Sequence, residues 1–576
     1  GLGRRESAGG LSLGGGAAWG GAAAPSSRSM SEGGKKVGES SLLLDEAAAA
    51  ARAAAAGNEA EGASLGAAAE GGEDSNGFHE NPRLSIDGTD SVDLEAAGAD
   101  VTPPPAKLTW REFLRYVGPG WLVCIAYVDP GNYQADIQSG AETGYAMLWV
   151  VLWTSLLSIY VQVLCVRLGQ CTRKTLSQAM ADEYPRTWRV IFWAVAEFMV
   201  IITDLPEVIG IGFALKLLAG WDTWVGVMLS AVTTMLFLMT QHWGTRVMEG
   251  IVLAFVGAMS VLLLAEWVLV GVDGTAFVRG ITVPDIPPGG TFAAAGVLGA
   301  VVMPHNLFLH TAAVQSRKVP RTPSHIKRAV FLASVEPVFP ILVTIVINCC
   351  ITSLAAERIY GQVDPDTGEL LADEVQGNSD FCKFLTVKNG CLLWALTLLA
   401  AGQSSAITTT YSGQYIMDGF LQMRLPMWKR AILTRLSAII PAVLVAVFGD
   451  DSSLNQMVNF VNASLALLLP FALVPLVKFC TSRRKMGMWV ANQTESIFMW
   501  ALTGAVLFIN FWVAVAPGGG MFGSLYTSDD PTTRWAGIVL SMPVLAFYVV
   551  ANGYMIMKPI ESTLDWTVNT EYEVVI

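Results

Sequence analysis

The sequence predicts an all-α polytopic membrane protein with about twelve transmembrane helices. Three observations carry that reading. The 576 residues are 53% hydrophobic and only 15% charged, whereas a soluble domain carries about 25% charge, and the mean hydropathy is +0.47. The apolar residues fall in separate runs of about 20, the length a helix needs to cross a bilayer. Two of those runs are interrupted by proline among polar residues, and backbone broken at membrane depth is tolerated only inside protein or beside a watery cavity.

Residues 1–106 stand apart. They hold 16 Asp/Glu against 7 Lys/Arg, so most of the net charge of −12 lies there. Their Ala/Gly/Ser-rich composition cannot bury enough apolar surface to order itself, and reads as a disordered acidic cytosolic tail. No apolar signal core or Arg-rich transit pattern is visible. Glu39-Ser-Ser-Leu-Leu43-Leu44 resembles an acidic dileucine sorting signal. The eight cysteines lack finger or redox spacing and read as apolar filler, although Cys382 and Cys391 could pair across an outer loop.

The spans are expected at 117–141, 145–168, 190–218, 222–240, 247–271, 290–316, 327–354, 391–416, 427–449, 453–477, 496–516 and 535–557. Alternate loops are basic. They carry Arg111 and Arg115, then Arg173 and Lys174, then Arg317, Lys318 and Arg321, then Arg424 and Lys429, then Arg483, Arg484 and Lys485. The others are poor in Lys/Arg, and the longest, 355–390, is rich in acid. Lys/Arg-rich loops face the cytosol, so both termini are expected there. The chain then divides into the tail, a core at 107–487, two further spans at 488–557 and a short cytosolic tail at 558–576.

The first span reads Ala126-Tyr-Val-Asp129-Pro130-Gly131-Asn132, and the sixth reads Ala300-Val-Val-Met303-Pro304-His305-Asn306. Proline removes a backbone donor and clashes with the carbonyl one turn earlier. Two such breaks, five spans apart, are the sequence sign of an inverted-repeat transporter with its site at the midplane. A buried carboxylate costs about 2.5–3.5 kcal/mol or more at the membrane centre, so a mere kink gives no reason for Asp129. Asp129 and Asn132 offer hard oxygen donors, and the unwound turns free carbonyls, those of Ala126 and Ala300 being the natural candidates. Met303 adds a thioether. Oxygens alone suit Mg²⁺ or Ca²⁺, whereas a soft donor shifts the preference toward transition metals.

These residues, with Pro206-Glu-Val-Ile-Gly210, Gly402-Gln-Ser-Ser405, Tyr411-Ser-Gly-Gln414 and Pro470-Phe-Ala-Leu-Val-Pro475, carry a family likeness. The chain resembles the Nramp (natural resistance-associated macrophage protein) family of divalent metal transporters, particularly its plant and algal type, from about Arg115 to about Gly487. The resemblance implies a LeuT-type fold with inverted five-helix repeats broken in helices one and six. It implies proton-coupled import of Mn²⁺, Fe²⁺ and similar ions, including Cd²⁺, Co²⁺ and Zn²⁺, with Asp129, Asn132, Met303 and the carbonyls of Ala126 and Ala300 as ligands. A polar residue of the tenth span joins the metal in some members, and only Asn462 lies roughly in register. Gln403 reads equally as a packing contact or a gate.

Glu197, Asp204 and Glu207 lie broadly on one side of the third span. Acids within spans face the bundle interior and often relay protons, or else pair with cations. Arg430 and Arg435, at the start of the ninth span, are natural partners. The resemblance favours Glu197 as the structural pair and Asp204 and Glu207 as the relay. A histidine side chain ordinarily titrates near physiological pH, which makes His305 a candidate proton or gating group, with His310 behind it. Nothing suggests an enzyme, a resident cofactor or a nucleic-acid partner; the partners are metal ions, protons and lipid. The membrane is expected to be vacuolar/endosomal or the plasma membrane. A Mg²⁺-transporting or non-transporting sensor relative on the same fold is the alternative. A sodium-coupled organic-solute symporter is disfavoured, because Asp129 would repel a carboxylate and Met303 would have no role.

Overall fold

The computed structural model describes residues 127–239, 245–317, 319–363, 368, 370–374, 377–423, 425–516, 521–522 and 530–563, with Thr109, Glu112, Phe113 and Gly118. All belong to one compact unit, Arg83–Ile576. The acidic tail, its dileucine pattern and the first half of span one lie outside the described residues.

The expected all-helical, polytopic fold holds. The helices are α1 (Pro130–Thr143), α2 (Leu148–Thr172), α3 (Leu176–Glu183), α4 (Arg186–Ala219), α5 (Thr223–Met239), α6 (Thr245–Val270), α7 (Gly274–Thr282), α8 (Thr291–Val301), α9 (Pro304–Ala313), α10 (Pro323–Val335), α11 (Val338–Arg358), α12 (Gly390–Leu421), α13 (Met427–Phe448), α14 (Asp451–Leu468), α15 (Pro470–Cys480), α16 (Gln493–Val515) and α17 (Pro531–Met557). Among the described residues nine helices are long and apolar enough to cross a membrane, and a bent pair makes a tenth.

Two expected spans, the fourth and the tenth, differ in form. The fifth, expected at 247–271, is the continuous helix α6, and α7 leaves its end at 119°, where Asp273 caps α7 by accepting from the amides of Thr275 and Ala276 and so starts a new helix. The fourth is only 17 residues long, about 25 Å of helix. The tenth is divided into α14 and α15 where Pro470 removes a backbone donor.

Local chemistry sets the helix ends. The Asp129 side chain accepts from Asn132 N, and Pro130 fills the first turn of α1, where a missing N–H costs nothing. Thr175 and Gln178 form a reciprocal capping box on α3. Gly220, at φ 70, closes α4 in the left-handed conformation that glycine adopts without strain.

The broken segments sit at the centre. α1 packs on α11 and α8, α8 packs on α14, and α4 packs on α12. Close approach depends on missing side chains. A Cβ on Gly210 of α4 would lie 2.5 Å from the Pro130 ring, and one on Gly299 of α8 would lie 1.9 Å from the Asn462 carbonyl oxygen. The Cys382–Cys391 disulfide forms, so those two cysteines are not filler.

Candidate functional site

The first break is built by its own sequence. Asp129 has extended backbone (φ −133, ψ 162) and caps α1. Its Oδ1 accepts from Asn132 N at 3.0 Å and from Asn132 Nδ2 at 2.5 Å. The amide nitrogen of Asn132 is thereby spent on Asp129, which leaves Asn132 Oδ1 buried with no hydrogen-bond partner. A buried acceptor without a donor costs about 1–3 kcal/mol, and a cation would satisfy it.

The second break repeats the device. Met303 precedes Pro304 at the start of α9, with extended backbone (φ −66, ψ 120). Asn306 Nδ2 points at Met303 Sδ across 3.7 Å, and Asn306 Oδ1 has no partner. In a continuous helix the carbonyl of Ala300 would accept from the N–H of residue 304. Residue 304 is proline and has none. The same arithmetic applies to Ala126 and Pro130, although Ala126 lies outside the described residues. Asp129, Asn132, Ala300 and Met303 are each 1% exposed or less.

Asn462 of α14 joins the first break. Its Nδ2 donates to the Gly131 carbonyl at 2.9 Å. A Cβ placed on Gly131 would lie 3.0 Å from Asp129 Oδ2 and 3.2 Å from Asn462 Oδ1, so both oxygens converge there. Among the described residues no group of three or more His, Cys, Asp or Glu gathers. The first break brings together one carboxylate and the carboxamide of Asn462, and the second holds a thioether beside the carboxamide of Asn306. Gln403 is not brought to either break. Its Nε2 donates to Thr233 Oγ1 at 2.6 Å and its Oε1 accepts from Thr234 at 3.0 Å, which joins α12 to α5.

The acids of α4 divide between two arginines of α13. Arg430 donates to Glu197 Oε2, and Trp193 Nε1 donates to the other carboxylate oxygen at 3.2 Å. Gly413 leaves room for this pair, since a Cβ there would strike Arg430 Nη2 at 2.0 Å. One turn deeper, Arg435 lies 3.1 Å from Asp204 Oδ1 and 3.6 Å from Glu207 Oε2, with all three side chains 1% exposed or less. Ser405 donates to Glu207 Oε1 at 2.6 Å, and Thr409 bridges the two carboxylates at 3.3 Å each. One cation thus faces two buried carboxylates, while Asp204 Oδ2 has no hydrogen-bond partner.

His305, just past the second break, bonds the helix that carries that cluster. Its Nδ1 lies 3.3 Å from Thr203 Oγ1, next in the chain to Asp204. Thr203 gives its own proton to the Met199 carbonyl at 2.7 Å, so His305 Nδ1–H is the donor and Nε2 is left as a buried acceptor without a partner. His310 does not join that cluster. Its Nδ1 meets Gln162 Oε1 at 2.5 Å, and Gln162 Nε2 donates to Tyr127 OH at 2.5 Å, which also accepts from Ser158 at 2.6 Å. This bridge between the two broken spans was invisible in the sequence, because Gln162 and Ser158 are isolated polar residues in an apolar run. Asp136 of α1 was also missed. It is buried, and the side-chain amide nitrogen of Asn348 donates to its Oδ2 at 3.2 Å. Its position two turns beyond Asp129 was a legible signal.

Residues 120–516 fit the family described as natural resistance-associated macrophage protein-like, Nramp. Metal transporter Nramp3 of Oryza sativa subsp. japonica is 38% identical over 430 residues, which is 74% of this chain and 77% of that protein. Metal transporter Nramp6 of Arabidopsis thaliana is 37% identical over 457 residues, covering 79% and 86%. A crystal structure of the Eremococcus coleocola manganese transporter superposes with a TM-score of 0.68 at 28% identity, covering 79% of this chain and 96% of that one. The two broken helices and these matches lead to one assignment: the chain belongs to the Nramp family.

Proposed function

We propose that this metal-transporter relative carries Mn²⁺ and Fe²⁺, with Cd²⁺, Co²⁺ and Zn²⁺ as further substrates, into the cytosol together with protons by alternating access. The observation that carries the reading is the donor set of the two breaks. Asp129 supplies one negative charge. Asn132 and Asn462 supply amide oxygens, and the proline-orphaned carbonyls of Ala126 and Ala300 supply two more oxygens. Met303 supplies sulfur at the N-terminus of α9. Transition metals accept such a mixed set, whereas Mg²⁺ and Ca²⁺ gain nothing from the thioether.

Protons leave by a separate route in this reading. Asp129 passes its proton toward Asp204 and Glu207, with Arg435 holding those carboxylates and His305 lying between break and cluster. Glu197 and Arg430 serve as a structural pair. The membrane potential assists inward movement by about 2.3 kcal/mol per elementary charge per 100 mV. The broken spans then rock against the rest of the bundle and open the opposite side. The Lys/Arg distribution supports cytosolic termini. The tail at 1–106, the core at 107–487, the two added spans and the C-terminal tail remain the proposed domain division.

Uptake of Mn²⁺, Cd²⁺, Mg²⁺ and Ca²⁺ into proteoliposomes tests the proposal. Wild type takes up Mn²⁺ and Cd²⁺ and excludes Mg²⁺ and Ca²⁺, Asp129→Ala takes up none, and Met303→Ala loses Cd²⁺ transport. Mg²⁺ uptake by wild type, or full Cd²⁺ uptake by Met303→Ala, overturns the soft-ligand argument. Asp204→Asn lowers metal-driven proton movement more than metal binding; an equal loss of both would remove the relay.

A further inference from the structure

The long loop between α11 and α12 reaches back to the first break. Gly377 has φ +151, and a Cβ on it would fall 1.8 Å from Gln134 Oε1. Only glycine lets the chain pass so close to α1. The next residue, Asn378, is 1% exposed. Its N–H donates to Gln134 Oε1 at 2.9 Å and its Nδ2 donates to the Pro130 carbonyl at 2.7 Å. Pro130 follows Asp129 directly, so Asn378 grips the segment that presents the candidate ligands.

The other side of this loop is fixed elsewhere. Trp394 Nε1 of α12 donates to the Asn378 carbonyl at 3.0 Å, and Asn455 Nδ2 of α14 donates to Ser379 Oγ at 2.9 Å. The disulfide between Cys382 and Cys391 ties the same stretch to the start of α12. A covalent bond and two hydrogen bonds hold the loop to α12 and α14, whereas among the described residues no covalent bond ties it to α1, where Asn378 supplies two hydrogen bonds.

Beneath the loop, α14 offers further donors. Asn455, Asn459 and Asn462 recur at helical spacing on one face. Asn455 Oδ1 and Asn459 Oδ1 are buried without a hydrogen-bond partner, as is Asn378 Oδ1. Asn462 ends the series on the Gly131 carbonyl. Unpaired amide oxygens are costly in a closed protein, and hydrated cations are the ligands that would use them.

We propose that Asn378 is the positioning residue that latches the loop side of the protein: α1 stays closed while Asn378 holds Pro130 and Gln134, and a cation reaches Asp129 from that side only after both bonds break. The inference rests on the alternating-access reading above. Asn378 touches no transported ion; it acts through the position of α1.

Thiol labelling tests the latch without metal. Asn459→Cys reports access from the loop side and Ala312→Cys, in the last turn of α9, reports access from the opposite side, both read with a membrane-impermeant maleimide in oriented proteoliposomes. One net hydrogen bond changes an equilibrium about fivefold. Asn378→Ala raises labelling at Asn459→Cys about fivefold, Gln134→Ala does the same, and the pair raises it about 25-fold. Labelling at Ala312→Cys falls or stays constant. Asn378→Leu, which keeps the volume but has no side-chain donor, behaves like Asn378→Ala. The apparent KM for Mn²⁺ on the loop side falls by up to about fivefold, because more molecules start in the receptive state. Unchanged labelling at Asn459→Cys in both single variants overturns the proposal. So does an equal rise on both sides, which reports loosened packing. If Asn378→Ala does not fold, Gln134→Ala decides alone. A wild type that takes up no metal would defeat the transport reading and leave the labelling comparison intact.

Discussion

A single methyl group added at Gly299 probes how the two broken helices are held against α14. A Cβ at that position would lie 1.9 Å from the Asn462 carbonyl oxygen and 2.6 Å from Ala466 N. Both are backbone atoms of a packed helix and have no rotamer to escape into. Restoring an ordinary contact of about 3.4 Å requires α8 to retreat by about 1.5 Å. Overpacking of this kind costs about 1–3 kcal/mol, so Gly299→Ala should unfold a few degrees lower in detergent than wild type. The functional effect should be larger than the loss of stability. Ala300 is the next residue, and Asn462 bonds the first break through its amide. A retreat of that size separates two candidate ligands, and a misplacement of about 1 Å can cost about 100-fold in rate. Initial Mn²⁺ uptake, normalised to folded protein, should drop by about that factor. Gly504→Ala is the control, because nothing lies within 4 Å of its Cβ; its uptake should match wild type. Wild-type uptake by Gly299→Ala at wild-type stability would refute the claim that close approach at this glycine sets the site.

Three further predictions use other contacts. Arg435→Met leaves Asp204 and Glu207 buried without the cation that faces both; removing one partner of a buried ion pair costs about 3–5 kcal/mol, and adding Glu207→Gln should return part of it in a thermal-unfolding cycle. A cycle with no coupling would show that Arg435 does not neutralise the pair. Gly413→Ala should expel the Arg430 guanidinium, whose Nη2 lies 2.0 Å from the new methyl, and destabilise the protein no further when combined with Glu197→Gln; additive losses would separate the two effects. Glu183 predicts a pH dependence at acid pH. Burial alone would raise its carboxyl, but the Glu561 amide, Ser562 and Lys485 bond or face it and hold it below the usual carboxylate range. A depressed folded value gives stability that is complete above the ordinary carboxylate range and is lost as pH falls through the folded value. The difference in Tm between wild type and Glu183→Gln should therefore be constant from pH 8 to about 5 and close below about pH 4; a difference independent of pH would remove Glu183 from that role.

Much of the site was written in residue types and spacing. Pro130 and Pro304 dictate that two helices break, and the missing N–H at each position identifies the carbonyl four residues earlier. Asp129 had to be functional or paired because isolated buried charge is costly, and seven- and three-residue spacing put Glu197, Asp204 and Glu207 on one side of α4. Both arginine partners were legible for the same reason, since few cations occur inside spans. Local pattern could not assign which arginine takes which acid; that depends on the helix register between α4 and α13 and on the space left by Gly413. Gln403 was ambiguous because a lone amide carries no direction, and the packing of α12 on α5 spends it on Thr233 and Thr234. Asn462 reached the first break, and Gln162 bridged Tyr127 to His310, only because helices distant in sequence meet at the centre. The sequence by itself determined the membrane class, the two breaks and the chemistry of their donors, all properties of local composition and backbone valence. The tertiary structure decided which amides lie at the breaks, how the acids are shared and where the loop grips α1, because those depend on interhelical distances that a linear pattern does not contain.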